Sequence, residues 1–302
     1  MTFKERYDKL LVFKHPDVEE IIDMFFHRPA AAIFASAIFS TSITPNQITY
    51  ASLMMGWSGS LVMYDAAISH VVFGDMGYVL AAVLYLFSVI LDCADGQIAR
   101  AKGGGTRMGR IVDGLVDAMV VVSLYVVMVI DLGNRYGSKW AIVTGLAGIS
   151  MWIQVAVYDK VKAVYMSRTS PSGADGTESM EEVAAAWEEI KEKGSFGEKV
   201  GMFIYFKILL QLQNVIAPGS AAVDENRLTE GEIRAFQYKY ADVQRITTFL
   251  GLGTHMLFIY CAIAMAAFWP PALLGLQFIF LTTFNFLLIY SLLVNRKMTN
   301  DK

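Results

Sequence analysis

LDCADGQIARAKGGGTRMGRIVDGLVD, residues 91–117, places four aspartates in a short stretch of a chain that otherwise reads as membrane. The skeleton is Asp92-x2-Asp95-Gly96-x2-Ala99-Arg100-x8-Gly109-x3-Asp113-x3-Asp117. On a helix, Asp92 and Asp95 are i,i+3 neighbours and Asp113 and Asp117 are i,i+4 neighbours, with Gly109 one turn before them on the same stripe. Two such faces turned towards each other gather the carboxylates into one pocket. A carboxylate in a membrane helix costs about 2.5–3.5 kcal/mol even on the mild insertion scale. Acidic groups outnumber basic ones on the two faces, so ion pairing alone leaves carboxylates unmatched. Hard divalent cations with oxygen ligands supply the compensation. Metal-bound carboxylates beside a glycine-lined gap point to phosphoryl transfer on a diphosphate.

The surrounding chain fits a membrane enzyme. Of its 302 residues 55% are hydrophobic. Six stretches, at about 46–65, 71–93, 109–131, 139–159, 246–268 and 271–294, are long enough to cross a bilayer. Residues 29–40 are apolar but too short to cross, and they follow the amphipathic DVEEIIDMFFHR. Residues 18–40 therefore read as an interfacial helix continuing into a short buried one. The fold class expected is an all-α integral membrane protein, six transmembrane helices preceded by an N-terminal interfacial amphipathic helix.

Charge sets the expected orientation. With the N-terminus in the cytoplasm, only Arg135 and Lys139 of the 25 Lys and Arg fall outside. Both termini and the aspartate motif are then cytoplasmic, the side where nucleotide-activated substrates are found. The N-terminal twenty residues are charged throughout, and no signal peptide is expected. A net charge of −3 says nothing about partners, and nucleic acid is not expected among them. Cys93 and Cys261 fall inside apolar helices and give no disulfide framework or zinc spacing. Cys93 reads as a small packing residue.

Four segments are expected. Residues 1–44 hold the N-terminal cytoplasmic and interfacial helices, and 45–160 the first four spans with the motif. Residues 161–245 form a cytoplasmic insert, and 246–302 the last two spans and the tail. Within the insert, SRTSPSGADGTES (167–179) reads as a linker. MEEVAAAWEEIKEK reads as a solvated helix with a Glu189–Lys193 pair. Residues 200–217 read as an interfacial helix, because Lys207, Gln211 and Gln213 interrupt the apolar run and Pro218-Gly219 ends it.

The motif resembles the signature of the CDP-alcohol phosphotransferases, D-x2-D-G-x2-A-R-x8-G-x3-D-x3-D, with all eight fixed positions at the family's spacing. At ordinary residue frequencies a chance match is on the order of one in a billion per start position. The resemblance implies transfer of a substituted phosphate from a CDP-linked donor, such as CDP-diacylglycerol, to an acceptor alcohol with release of CMP. It implies Asp92, Asp95 and Asp113 as ligands of Mg2+ or Mn2+ in a two-metal site, and Asp117 as the general base. Spacing alone does not say which of the four stays free of tight ligation. By family position Gly96, Ala99, Arg100 and Gly109 face the nucleotide, as does Asn46 of PNQIT, the sequence that opens the first span. Each also has a plainer reading: glycines for close helix packing, an interfacial arginine, a proline-led helix start.

The acceptor is less defined. The run ARAKGGGTR resembles the loop of the phosphatidylinositol-phosphate synthase group, and Arg110, Lys160 and Lys162 are cations suited to an anionic acceptor. Inositol phosphate or another polyol is therefore the expected acceptor. The alternative within the family is transfer of an ethanolamine or choline headgroup from its CDP derivative to diacylglycerol. His255 and Asn285 are polar residues in apolar spans that either face the cavity or bond another helix. A different class, a cation transporter, is disfavoured because the aspartates lie at span ends and not at the midplane. Membrane lipids are the expected surroundings, with homodimerisation left open.

Overall fold

The computed structural model describes residues 1–11, 17–104, 107–169 and 229–300, together with 187, 188, 190–192, 199, 202 and 203. Every regular element among them is helical. In chain order these are α1 (Phe3–Leu10), a π-helical turn (Asp23–His27) leading into α2 (Arg28–Ile38), α3 (Pro45–Tyr64), α4 (Met76–Ala101), α5 (Arg107–Tyr136) and α6 (Ser138–Thr169). Then follow α7 (Glu230–Thr247), α8 (Leu252–Ala266), α9 (Ala272–Leu281) and α10 (Thr283–Asn300). The linker from residue 170 onward, the Glu189–Lys193 pair and the 200–217 helix, apart from residues 202 and 203, lie outside the described residues.

Among the described residues, four stretches are long and apolar enough to cross a membrane: Met76–Ala101, Val112–Tyr136, Ser138–Thr169 and Ala272–Thr299. A fifth is added if Glu230–Leu250 and Leu252–Ala266, bent by 41° at Gly251, count as one crossing. The 20-residue α3 is not among them. Its composition is diluted by small polar residues that the fold uses for packing: Ser52 and Ser88 exchange hydroxyl-to-carbonyl hydrogen bonds of 2.9 Å. Such interhelical bonds contribute about 0.6 kcal/mol each in a membrane.

The described chain gathers into two compact units. The first comprises Met1–Lys14, Ile21–Met151 and Leu252–Thr283, and contains the whole aspartate motif. Its α3 starts where Thr44 and Gln47 form a reciprocal capping box with Pro45 at the first helical position. A Cβ on Gly56 would lie 2.6 Å from Val120 Cγ2, so glycine is what lets α3 approach α5. At one end of the unit, Leu10, Ala31, Ala32, Ala35, Ile48, Leu91, Ala94 and Ile98 form a core joining α1, α2, α3 and α4. Four of these eight are alanines, which let the helices approach closely around the segment of α4 that bears Asp92 and Asp95.

Elsewhere in this unit, the N-terminal turn of α4 meets the last turns of α5. Tyr78 donates to the fully buried Asp131 at 2.7 Å, Arg135 Nε donates to Asp131 at 2.5 Å, and Arg135 Nη2 donates to Tyr78 at 2.8 Å. Arg135, one of the two basic residues outside the cytoplasmic tally, is thus neutralised within the helix pair. The second unit comprises His15–Glu20, Trp152–Gly251 and Phe284–Lys302. Its core joins α6, α7 and α10 through Val157, Val161, Tyr165, Phe236, Tyr240, Val294 and Met298.

Candidate functional site

Helix α4 does not stop near residue 93 but runs on to Ala101. Asp92, Asp95, Gly96, Ala99 and Arg100 therefore stand on one continuous helix, which keeps their i,i+3 and i,i+4 relations intact. It ends in a glycine turn: Gly103 and Gly104 have φ of 114° and 100°, a conformation that favours glycine, and Gly104 N donates to Ala99 O at 3.0 Å. The chain then enters α5, which carries Gly109 half-buried near its start and Asp113 and Asp117 on the next turns.

The two helix faces converge as the spacing requires. Asp92, Asp95 and Asp113 each offer a carboxylate oxygen, and these oxygens lie within 4.8 Å of one another. Asp92 and Asp113 share a side-chain hydrogen bond across the helices. Their Oδ1 atoms are nevertheless buried with no hydrogen-bond partner. A buried acceptor of that kind costs about 1–3 kcal/mol or more unless something pairs with it. Converging, acceptor-only oxygens left orphaned fit a hard divalent cation. Asp117 is not a member of this group, although it acts electrostatically on Asp92.

Two neighbours shape the cluster. The Thr49 hydroxyl, one turn into α3, lies 2.5 Å from Asp95 Oδ2 and donates to it. Gly96 leaves room for the Arg100 guanidinium: a Cβ built on Gly96 would stand 3.2 Å from Arg100 Nη1. From there Arg100 interacts electrostatically with Asp95 and Asp113. Asn46 is exposed on the first turn of α3, Ala99 is half-buried, and Arg100 is exposed. Gln97, an unassigned position of the motif, is buried, and its amide donates to Arg28 O at 3.0 Å, tying α2 to α4.

Thr49 closes the Pro45-Asn46-x2-Thr49 run that opens the first span; its contact with Asp95 is the part that the sequence pattern did not assign. The other polar residues considered have structural partners. Asn285 accepts from Gln154 Nε2 at 2.9 Å, and His255 packs edge-on against Phe280 with ring centroids 4.9 Å apart. Lys162 lies over the Tyr158 ring at 5.5 Å, Lys160 is half-buried, and the side chain of Arg110 lies outside the described residues.

Residues 42–174 match the family model described as CDP-alcohol phosphatidyltransferase. A phosphatidylinositol phosphate synthase of Mycobacteroides abscessus is 28% identical over 129 residues, 43% of this chain and 54% of that protein. The bifunctional IPC transferase and DIPP synthase of Archaeoglobus fulgidus is 34% identical over 85 residues, 28% of this chain and 15% of that protein. A phosphatidylinositol phosphate synthase of Mycolicibacterium smegmatis is 32% identical over 85 residues, 28% of this chain and 34% of that protein. The chain thus spans about half or less of the length of these relatives, and no solved structure matches it significantly. With the paired-helix geometry and the motif both inside the matched stretch, residues 42–174 are what makes this chain similar to the CDP-alcohol phosphatidyltransferase family.

Proposed function

We propose that the chain transfers a substituted phosphate from CDP-diacylglycerol to inositol phosphate or a related polyol, releasing CMP. The observation that carries this reading is the convergence of Asp92, Asp95 and Asp113 with orphaned oxygens, inside the stretch similar to this family. The names of two relatives as phosphatidylinositol phosphate synthases support the choice of acceptor.

Asp92, Asp95 and Asp113 would hold Mg2+ or Mn2+, and the number of carboxylates suits a two-ion site. Such ions neutralise charge on the diphosphate and on the attacking and leaving oxygens. Thr49 fixes the orientation of Asp95, and Arg100 supplies a further positive charge for the diphosphate. Gly96, Ala99 and Gly109 keep the two helix faces low, so that the nucleotide approaches without a side chain in the way, and Asn46 lies at the entry turn of α3. Asp117 accepts the proton of the acceptor hydroxyl. The acceptor oxygen forms a bond to the β-phosphorus, the bond from that phosphorus to the bridging oxygen breaks, and CMP leaves with the bridging oxygen.

In the membrane we place α3 as a sixth crossing, with its serines and glycines turned to α4 and α5, and the amphipathic N-terminal region at the interface. The termini, the aspartates and the 161–245 insert lie in the cytoplasm. The segments 1–44, 45–160, 161–245 and 246–302 are retained as the working division, with a homodimer as the assembly to examine. The placement of the aspartates near the end of α4 and the start of α5 favours an enzyme site over a midplane transport site. The test is CMP release by the purified protein given CDP-diacylglycerol, Mg2+ or Mn2+ and a panel of alcohols. Release with CDP-ethanolamine and diacylglycerol, and none with inositol phosphate, would replace this reading by headgroup transfer.

A further inference from the structure

Gln97 belongs to the motif segment of α4 but stands on its far side. Two residues along a helix turn it by about 200°, so Gln97 faces away from Asp95. It is 2% exposed there, and its amide Nε2 donates a 3.0 Å hydrogen bond to the carbonyl of Arg28, the first residue of α2. Ala94 and Ile98 of α4 are buried in one core with Ala31, Ala32 and Ala35 of α2.

The acceptor carbonyl is itself held. His27, the residue before it, is fully buried. Its Nδ1 lies 2.7 Å from Asp23 Oδ1, and its Nε2 lies 3.1 Å from the Tyr260 hydroxyl on α8. In the neutral ring, Nδ1–H donates to the carboxylate and Nε2 accepts from the hydroxyl. Asp23, His27, Arg28, Gln97 and Tyr260 all belong to the first unit. A line of contacts thus runs from α8 through the start of α2 to the back of the α4 turn that carries Asp95.

Apolar burial is non-directional, whereas a hydrogen bond needs its donor close to the line of the acceptor. The bond from Gln97 to Arg28 therefore supplies what the alanine contacts lack, a fixed rotation of α4 about its own axis. That rotation matters on the opposite side of the helix. Asp92 and Asp95 come from α4 and Asp113 from α5, and their oxygens converge within 4.8 Å. A ligand constellation tolerates misplacement of only about 0.5 Å.

We propose that Gln97 is a positioning residue for the aspartate cluster. It holds α4 at the rotation that turns Asp92 and Asp95 towards Asp113, and His27 and Tyr260 hold its acceptor in place. This role rests on the metal reading of the cluster, and not on the identity of the donor or the acceptor alcohol.

The test titrates the full chain in detergent with Mn2+, without nucleotide, and reads free Mn2+ by electron paramagnetic resonance. Binding that Asp92→Asn loses counts as the site. Thermal unfolding and CMP release are measured on the same preparations. Gln97→Met keeps the length of the side chain and removes the donor. It is expected to weaken Mn2+ binding by about tenfold, the lower end for groups acting behind metal ligands. The Mn2+ needed for half-maximal CMP release should rise in step. A Gln97→Met protein that unfolds at lower temperature, yet binds Mn2+ as tightly as the unmodified protein, overturns the proposal and leaves Gln97 a packing residue. If Gln97→Met does not fold, Tyr260→Phe takes its place, because it loosens His27 without changing α4 itself. Several-fold weaker Mn2+ binding in Tyr260→Phe then supports the proposal, and unchanged binding overturns it. The readout separates this role from the transfer reaction. Mn2+ binding that depends on Gln97, with no CMP release from any donor, would sink the reaction alone. CMP release and Mn2+ binding that both ignore Gln97 would sink the positioning role alone.

Discussion

The Thr49 hydroxyl donates a 2.5 Å hydrogen bond to Asp95 Oδ2, joining the first turns of α3 to the aspartate cluster. Both groups are buried. A hydrogen bond to a carboxylate in such a place contributes about 1.5–3 kcal/mol. Thr49→Val keeps the shape and removes the donor. The expected result is a fall of about 10- to 100-fold in kcat/KM, with a higher Mg2+ concentration needed for half-maximal rate. Thr49→Ser restores the donor and should recover most of the activity. An unchanged metal dependence in Thr49→Val would show that the hydroxyl does not orient a ligand.

Removal of metal is expected to abolish turnover. The cluster of Asp92, Asp95 and Asp113 consists of acceptors only, two of them with orphaned oxygens. EDTA should therefore stop CMP release, and Mg2+ or Mn2+ should restart it. Asp92→Asn and Asp95→Asn should each remove activity while the protein still inserts and folds. Full turnover in chelator rules out the metal reading.

The i,i+3 and i,i+4 placement of the aspartates was legible because a helical period converts spacing directly into faces. What lay outside that period was harder to read. Thr49 meets Asp95 across 46 residues of chain, a contact that no local pattern encodes. The apolar stretch at about 71–93 is only part of α4: the polar run that follows stays helical to Ala101, until Gly103 and Gly104 adopt positive φ. The π-helical turn at Asp23–His27 left no sequence mark; in it His27 Nδ1 lies 2.7 Å from Asp23 Oδ1, a local contact, and Nε2 lies 3.1 Å from the Tyr260 hydroxyl, a distant one. Helix α3 shows the limit of composition. Residues 46–65 read as long enough to cross, yet the serines and glycines that let α3 pack lower its apolar content, and it is not among the stretches apolar enough to do so.

Asp117 should behave differently from its neighbours, since it stands outside the group of three converging carboxylates. Asp117→Asn is expected to lower kcat by about 100-fold or more, the range for loss of a general base. Donor affinity and metal affinity should change by less than about threefold. Equal loss of metal binding in Asp117→Asn and Asp113→Asn would make Asp117 a ligand.

Gly96 is predicted to matter through Arg100. A methyl group at this position would stand 3.2 Å from Arg100 Nη1, closer than a guanidinium accepts without shifting. Arg100 is exposed at the surface, so stability should hardly change. Gly96→Ala should instead raise the KM for the CDP-linked donor several-fold, and Arg100→Ala should raise it further. Combining the two should give little beyond Arg100→Ala, because both act on one guanidinium. Full additivity in this double-mutant cycle would mean that Gly96 serves the nucleotide directly.

The acceptor decides the last prediction. A phosphorylated polyol is a dianion, and Lys or Arg pairing is the usual way to hold one. Lys160 and Lys162 stand near the C-terminal end of α6, where Lys162 rests on the Tyr158 ring. If they serve the acceptor, replacing both by alanine should raise the KM for inositol phosphate by at least about 10-fold and leave the donor KM within about twofold, as expected for loss of charge-assisted bonds to one substrate. Arginine in their place should recover part of the affinity, whereas glutamine, which keeps length without charge, should not. Headgroup transfer to diacylglycerol needs no second anion site and expects neither change. The outcome that sinks the anionic-acceptor reading is an acceptor KM that stays constant while the donor KM rises, which would assign the two lysines to the diphosphate.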